Sequence, residues 1–194
     1  YDIAGISIPA KEVGGDYYDF IRINDQRLAF CLGDISGKGI PASLLMANLQ
    51  ATLRSQTLFG HLASECLERS NLLLYRSTDL HKFATLFYGI LDTEQHHIEY
   101  AKAGHDPPFF ITHDLGVRRL ETGGMILGFQ EDATYAEETI PIHSGDTLVL
   151  YSDGITEAMN EDEELFEPGR LEQVILNNHT LSSTDLRDTI IDEV

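Results

Sequence analysis

The chain has 194 residues, with 32 Asp plus Glu against 13 Lys plus Arg, a net charge of −19 that argues against nucleic acid or an anionic membrane surface as a partner. At 42% hydrophobic and 23% charged it reads as a soluble globular domain that needs no staple to fold. Its two cysteines, Cys31 and Cys66, lie outside any CxxC or Cys/His ligand spacing, and no apolar run approaches the ~20 residues of a membrane span, so a reducing cytoplasm is the expected compartment.

Residues 2–8 alternate loosely and predict a strand. Two more, at 17–23 and 27–33, flank a turn of Asn24, Asp25 and Gln26. Pro41 opens a helix whose Leu45, Leu49 and Leu53 recur every four residues, with Ala42 and Met46 beside them. A second helix is expected over 64–78, with Ser64 as N-cap and Leu67 and Leu74 on its inner face. Residues 83–91 and 97–103 predict another hairpin, and 107–112 and 117–120 two shorter strands. Residues 135–142 alternate. Gly145-Asp146 then turns into the apolar strand 147–151, and helices follow at 168–178 and 184–194. Helix pairs between runs of hairpins describe an α+β fold with antiparallel sheets, not βαβ alternation. Tyr1 opens inside a strand-like pattern and Val194 ends inside a helical one. A single domain, 1–194, excised from a longer multidomain chain is therefore the expectation.

The first hairpin carries the chemistry. With the turn centred on Asp25, paired positions sum to 50, and Asp16 and Asp34 satisfy that sum. They would face one another with Cβ atoms ~5 Å apart. Facing carboxylates repel, and a divalent cation between them removes the repulsion. Glycines surround both, in Gly14-Gly15-Asp16 and Gly33-Asp34-Ile35-Ser36-Gly37-Lys38-Gly39, and let the backbone bend close to a ligand. Asp153 ends the strand 147–151 in the same way, before Gly154. Any one of these dipeptides alone is an ordinary turn signal. Three strand-end carboxylates together suit oxygen-only coordination of Mg²⁺ or Mn²⁺.

In order along the chain, VGGDYYDF (13–20), LGDISGKGIPASLLMANLQATLR (32–54), FATLFYGILD (83–92), YAKAGHDPPFFI (100–111), GGMILG (123–128) and GDTLVLYSDGITEAMN (145–160) resemble successive motifs of the bacterial SpoIIE/RsbU-type serine phosphatases. These belong to the metal-dependent protein phosphatase superfamily (PPM, protein phosphatase 2C-like). The resemblance implies a four-layer α-β-β-α sandwich of two antiparallel sheets flanked by helix pairs. It implies a binuclear Mn²⁺/Mg²⁺ centre with Asp16, Asp34 and Asp153 as ligands and catalytic residues. Asp34 would be the bridging acid, and the Ile35 carbonyl the backbone ligand. Two cations about 3.5–4 Å apart would share a water and make it nucleophilic toward phosphorus. The implied substrate is phosphoserine or phosphothreonine in a protein. By analogy this is a phosphorylated STAS-type anti-sigma-factor antagonist in a partner-switching pathway. A sensor domain upstream in the same chain and a homodimer are implied as well. In relatives the helices at about 41–58 and 64–78 are implicated in switching and dimer contacts, and the first of them, beginning right after Asp34, would couple to metal occupancy.

The chain departs from the family pattern in several places. A DDxT-like motif, whose first Asp is a further ligand in the family, would follow Val194. Asp185, Asp188 and Asp192 are in a helical pattern and are not given that role. Lys38 stands where many relatives carry His; it and Lys11 would attract phosphate or be solvated loop residues. Asp106 stands where Asn or Pro is common. His105 reads better as a hydrogen-bonded turn residue than as a general acid, and Ser36 and Ser152 as backbone partners rather than nucleophiles. The acidic run 160–164 lacks EF-hand spacing and reads as a solvated loop. Against the phosphatase stands an inactive, phosphatase-like adaptor that binds a signalling or sigma-regulating protein.

Overall fold

The computed structural model describes residues 1–8, 15–37, 39–77 and 82–194. Lys11, Gly14 and Lys38 therefore lie outside the described residues. The elements are β1 Asp16–Arg22, β2 Arg27–Ile35, α1 Ile40–Leu58, α2 Ala63–Ser77, β3 Ala84–Asp92, β4 His97–Ala103, β5 Phe109–Ile111, β6 Val117–Arg119, β7 Gly123–Gly124, β8 Glu138–Pro141, β9 Thr147–Val149, α3 Asp153–Thr156, α4 Glu167–Asn177 and α5 Ser183–Glu193. They fall into two compact units, one of residues 7–105 and 121–142, the other of residues 1–6, 106–120 and 143–194.

The larger unit is a six-stranded sheet in the order β1-β2-β3-β4-β7, with β8 also paired to β4. Alternation along the strands sends Tyr17, Ile21, Ala29, Cys31, Ile35, Leu86, Tyr88 and Ile90 to one face. There they join Leu45, Leu49 and Leu53 of α1 and Cys66, Leu67 and Leu74 of α2 in one buried core. The four-residue leucine spacing is thus the buried stripe of α1, as its periodicity predicts. Thr57 of α1 closes that contact with a 2.9 Å hydrogen bond to the Tyr88 hydroxyl.

The smaller unit is a three-stranded antiparallel sheet, β6-β5-β9. Phe109, Ile111 and Tyr151 pack with Phe166, Leu171, Val174 and Ile175 of the α4 region and Leu186 and Ile190 of α5. Two sheets, each bearing helices, make the mixed α+β class that the element order predicts.

Several expectations are corrected. Residues 1–8 form no strand. Asp2 accepts the Ser183 N–H on its carboxylate at 2.7 Å and the Ser183 hydroxyl on its carbonyl at 2.8 Å. Ser64 is not an N-cap, because α2 begins at Ala63 and the Ser64 N–H and hydroxyl both donate to Glu137. β7 runs parallel to β4, so the larger sheet is not wholly antiparallel. The strand expected over 147–151 stops at Val149, and Asp153 opens a one-turn helix rather than ending a strand.

Candidate metal centre

The β1–β2 turn sets the geometry. The Asn24 side-chain carbonyl accepts the N–H groups of Gln26 at 2.9 Å and Arg27 at 2.7 Å. Such an Asx turn fixes the loop length and hence the register. The register pairs Asp16 with Asp34, as the sum of 50 requires. Both acids lie inside the strands, β1 starting one residue before the expected strand and β2 ending two residues after it. Directly paired residues of an antiparallel ladder share a face, so both carboxylates stand on the side of the sheet away from α1 and α2.

Gly15 shapes the space beside them. Its carbonyl accepts the Ile35 N–H at 3.2 Å, which draws the two backbones together. A Cβ built on Gly15 would stand 2.7 Å from Asp34 Oδ1 and 2.9 Å from the Ile35 carbonyl oxygen. One carboxylate oxygen and one carbonyl oxygen thus converge on room that only glycine leaves open. Oxygen donors alone, around a gap cleared of side chain, fit a hard divalent cation such as Mg²⁺ or Mn²⁺.

Asp153 occupies the first turn of α3, with Ser152 at the N-cap, in the smaller unit. Among the described residues, no group of three or more His, Cys, Asp or Glu side chains is placed to hold a metal ion. The hairpin brings together Asp16, Asp34 and the Ile35 carbonyl; Asp153 belongs to the other unit.

The remaining polar candidates have other work. Ser36 accepts the Phe83 N–H on its hydroxyl at 2.9 Å and donates its own N–H to the Phe83 carbonyl at 2.9 Å. That is backbone bonding beside the acids. His105 is buried, with Nδ1 2.9 Å from the Thr85 hydroxyl. Asp185, Asp188 and Asp192 lie on α5, as expected from their periodicity. In the acidic run, Asn160 accepts the N–H groups of Asp162 and Glu164 and closes the loop on itself.

Two polar clusters escape a pattern reading. One is the Thr85–His105 contact, whose members are 20 residues apart. The other lies on the helix face of β1. There Asp19 receives Arg54 Nε and Nη2, both at 2.7 Å, and the Tyr17 hydroxyl at 2.7 Å. Burial pushes the Asp19 carboxyl up, but the hydrogen bonds from Arg54 and Tyr17 outweigh it and leave it below the usual carboxylate range. Burial, with smaller contributions from Cys31 and Asp19, pushes the Tyr17 phenol up, and burial pushes the Cys31 thiol up to about 12. Cys31 is accordingly a core thiol, neither nucleophile nor ligand. An aspartate in an alternating strand and an arginine on a helix, 35 residues apart, give no sign in the sequence that they will meet.

The sequence pattern of Stage II sporulation protein E (SpoIIE) matches residues 24–194. The chain belongs to the SpoIIE family. Among curated proteins it is similar to the phosphoserine phosphatase RsbU of Bacillus subtilis (strain 168). The two are 34% identical over 183 residues, which are 94% of this chain and 54% of RsbU. The chain therefore spans about half the length of that relative. Among solved structures it is similar to the RsbU and RsbW domains of Rv1364c from Mycobacterium tuberculosis, with a TM-score of 0.80 at 24% identity over 97% of this chain and 54% of that one. RsbX, solved in complex with magnesium, matches at a TM-score of 0.71 and 14% identity over 95% of this chain and 82% of that one. These likenesses show the fold, that of the protein phosphatase 2C-like domains. The SpoIIE match begins at Asn24, so Asp16 rests on strand register instead.

Proposed function

We propose that this SpoIIE-family chain is the phosphatase domain of a signalling protein and hydrolyses phosphoserine or phosphothreonine in a protein substrate with the help of Mn²⁺ or Mg²⁺. The observation that carries the reading is the Asp16–Asp34 pair facing the gap kept by Gly15. The resemblance to a phosphoserine phosphatase supports the reaction class. Asp16, Asp34, the Ile35 carbonyl and Asp153 are the proposed ligands.

A divalent cation bound there supplies Lewis acidity toward water and phosphoryl oxygens at neutral pH. The chain's own contribution is to fix the donors. The hairpin sets two carboxylates at one level of the sheet, and the Ile35 N–H to Gly15 bond aims the neighbouring carbonyl. By the family resemblance, the proposed substrate is a phosphorylated STAS-type anti-sigma-factor antagonist in the cytoplasm, and a sensor domain and a homodimer complete the proposed assembly.

The adaptor reading draws on one observation, the lack of a three-residue metal cluster among the described residues. The two readings separate in one assay. Phosphate release from a phosphoserine protein is measured on the full-length protein with and without Mn²⁺, beside Asp34→Asn and Asp153→Asn. Release that needs Mn²⁺ and disappears in both variants supports the phosphatase. A folded protein that neither binds Mn²⁺ nor releases phosphate, yet retains a protein partner, supports the adaptor.

A further inference from the structure

The register that pairs Asp16 with Asp34 continues one strand further. Asp34 is the cross-strand partner of Thr85 on β3, so Asp16, Asp34 and Thr85 form a row on one face of three adjacent strands. Adjacent members of such a row have Cβ atoms ~5 Å apart. The row ends against His105, whose Nδ1 lies 2.9 Å from Thr85 Oγ1 and whose side chain is 4% exposed.

The backbone delivers that imidazole by a constrained turn. Gly104 has φ +63°, and a Cβ there would stand 2.3 Å from Ile126 Cγ2. Its N–H donates to the Gly124 carbonyl at 3.0 Å, and it bridges to Leu86, the residue after Thr85. Only glycine makes this turn, and the turn places His105 beside Thr85.

The tautomer decides what the hydroxyl offers the carboxylate. A proton on Nδ1 makes the ring the donor, and the threonine hydroxyl keeps its own proton for an acceptor on the Asp34 side. A proton on Nε2 instead draws the hydroxyl toward the ring and turns its lone pairs to the carboxylate, a repulsive arrangement. We propose that His105 holds Thr85 as a donor toward Asp34, which makes the Thr85–His105 pair a positioning device for the Asp34 carboxylate. The inference rests on the metal-centre reading above and adds two residues to it. Hydrogen-bonded partners of ligating carboxylates typically change metal affinity by 10–100-fold when removed.

The test is titration calorimetry of Mn²⁺ on the full-length protein, with thermal melts of each variant and ¹⁵N spectra of the His105 ring. Thr85→Val keeps the shape and removes the hydroxyl. His105→Ala removes the ring, and His105→Asn returns an amide donor near the place of Nδ1. The expected results are an Nδ1–H tautomer and a weakening of Mn²⁺ binding by about tenfold or more in Thr85→Val and in His105→Ala. The double variant should be no weaker than either single one, and His105→Asn should recover part of the loss. An Nε2–H tautomer, or wild-type Mn²⁺ affinity in Thr85→Val with no more than a lowered melting temperature, overturns the proposal. Asp34→Asn separates the two levels. If Asp34→Asn abolishes binding while Thr85→Val does not weaken it, the positioning role alone falls; if Asp34→Asn binds like the wild type, the metal-centre reading falls and the role with it.

Discussion

Asp16 and Asp34 are direct partners across the β1–β2 hairpin, two carboxylates at one level of one sheet face. Like charges so placed oppose strand pairing, by about 0.2–1 kcal/mol for an ordinary cross-strand pair. A bound cation reverses the sign of that contribution. Asp34→Asn is therefore expected to melt at or above the wild-type temperature in a chelator and below it in millimolar Mn²⁺. Parallel melts in EDTA and in Mn²⁺ check this. A variant less stable than wild type by the same amount in both would mean that the carboxylate is structural.

Gly15 gives a sharper test, because the substitution adds one carbon and removes no ligand. In Gly15→Ala the methyl group would meet Asp34 Oδ1 at 2.7 Å and the Ile35 carbonyl at 2.9 Å. Relief requires the β1 and β2 ends to part, at about 1–3 kcal/mol for an overpacked site. The expected outcome is a folded protein with lower stability and at least tenfold weaker Mn²⁺ binding, read by calorimetry and circular dichroism. Unchanged binding would show that the gap beside Gly15 is not where the cation sits.

The Asp19–Arg54 pair ties β1 to α1, three residues along the strand from Asp16. Arg54 is half exposed while Asp19 is buried. The loss in Arg54→Ala is therefore set below that of a fully buried pair, at about 1–3 kcal/mol. The sign of the pH dependence follows from the depressed Asp19 carboxyl. Stability from this group is present above the unfolded carboxyl value of ~3.9 and is lost as pH falls through its lower folded value. Denaturant melts from pH 7 down to pH 2 should show a steeper acid loss for the wild type than for Asp19→Asn.

The parts legible in the sequence are those with a short-range signal. The leucine spacing predicts the buried stripe of α1, and the three-residue turn centred on Asp25 predicts the Asp16–Asp34 pairing. Where the pattern misled, the deciding interaction came from far along the chain. Residues 1–8 alternate like a strand, but Ser183 takes up Asp2. Ser64 resembles an N-cap, but Glu137 takes both of its donors. Gly123–Gly124 carries no strand propensity and still pairs with β4, because glycine tolerates the close approach of the Lys102 carbonyl. In the site, spacing brings the two hairpin acids together; the Thr85–His105 contact depends on a tertiary turn that no local period encodes.

Arg119 supplies the last prediction, in the smaller unit. Its guanidinium lies 4.0 Å from the Phe109 ring centroid, donates twice to the Pro107 carbonyl at 2.9 and 2.6 Å, and donates to the Tyr151 hydroxyl. Tyr151 stands two residues before Asp153. Burial raises the Tyr151 phenol, Arg119 opposes that rise and Asp106 adds to it. Removing the arginine in Arg119→Ala therefore moves the phenol further up. A phenol raised by folding contributes stability that is complete below the unfolded value of ~10 and is lost as pH rises through the folded one. Arg119→Ala should cost about 1–3 kcal/mol at pH 7, from the lost ring contact and two acceptors left unpaired. Its stability should fall over a longer stretch of alkaline pH than that of the wild type. Denaturant melts from pH 7 to 11, set against Tyr151→Phe, isolate the phenol. Arg119→Lys should recover little, because a lysine cannot span the carbonyl and the hydroxyl with one planar fork.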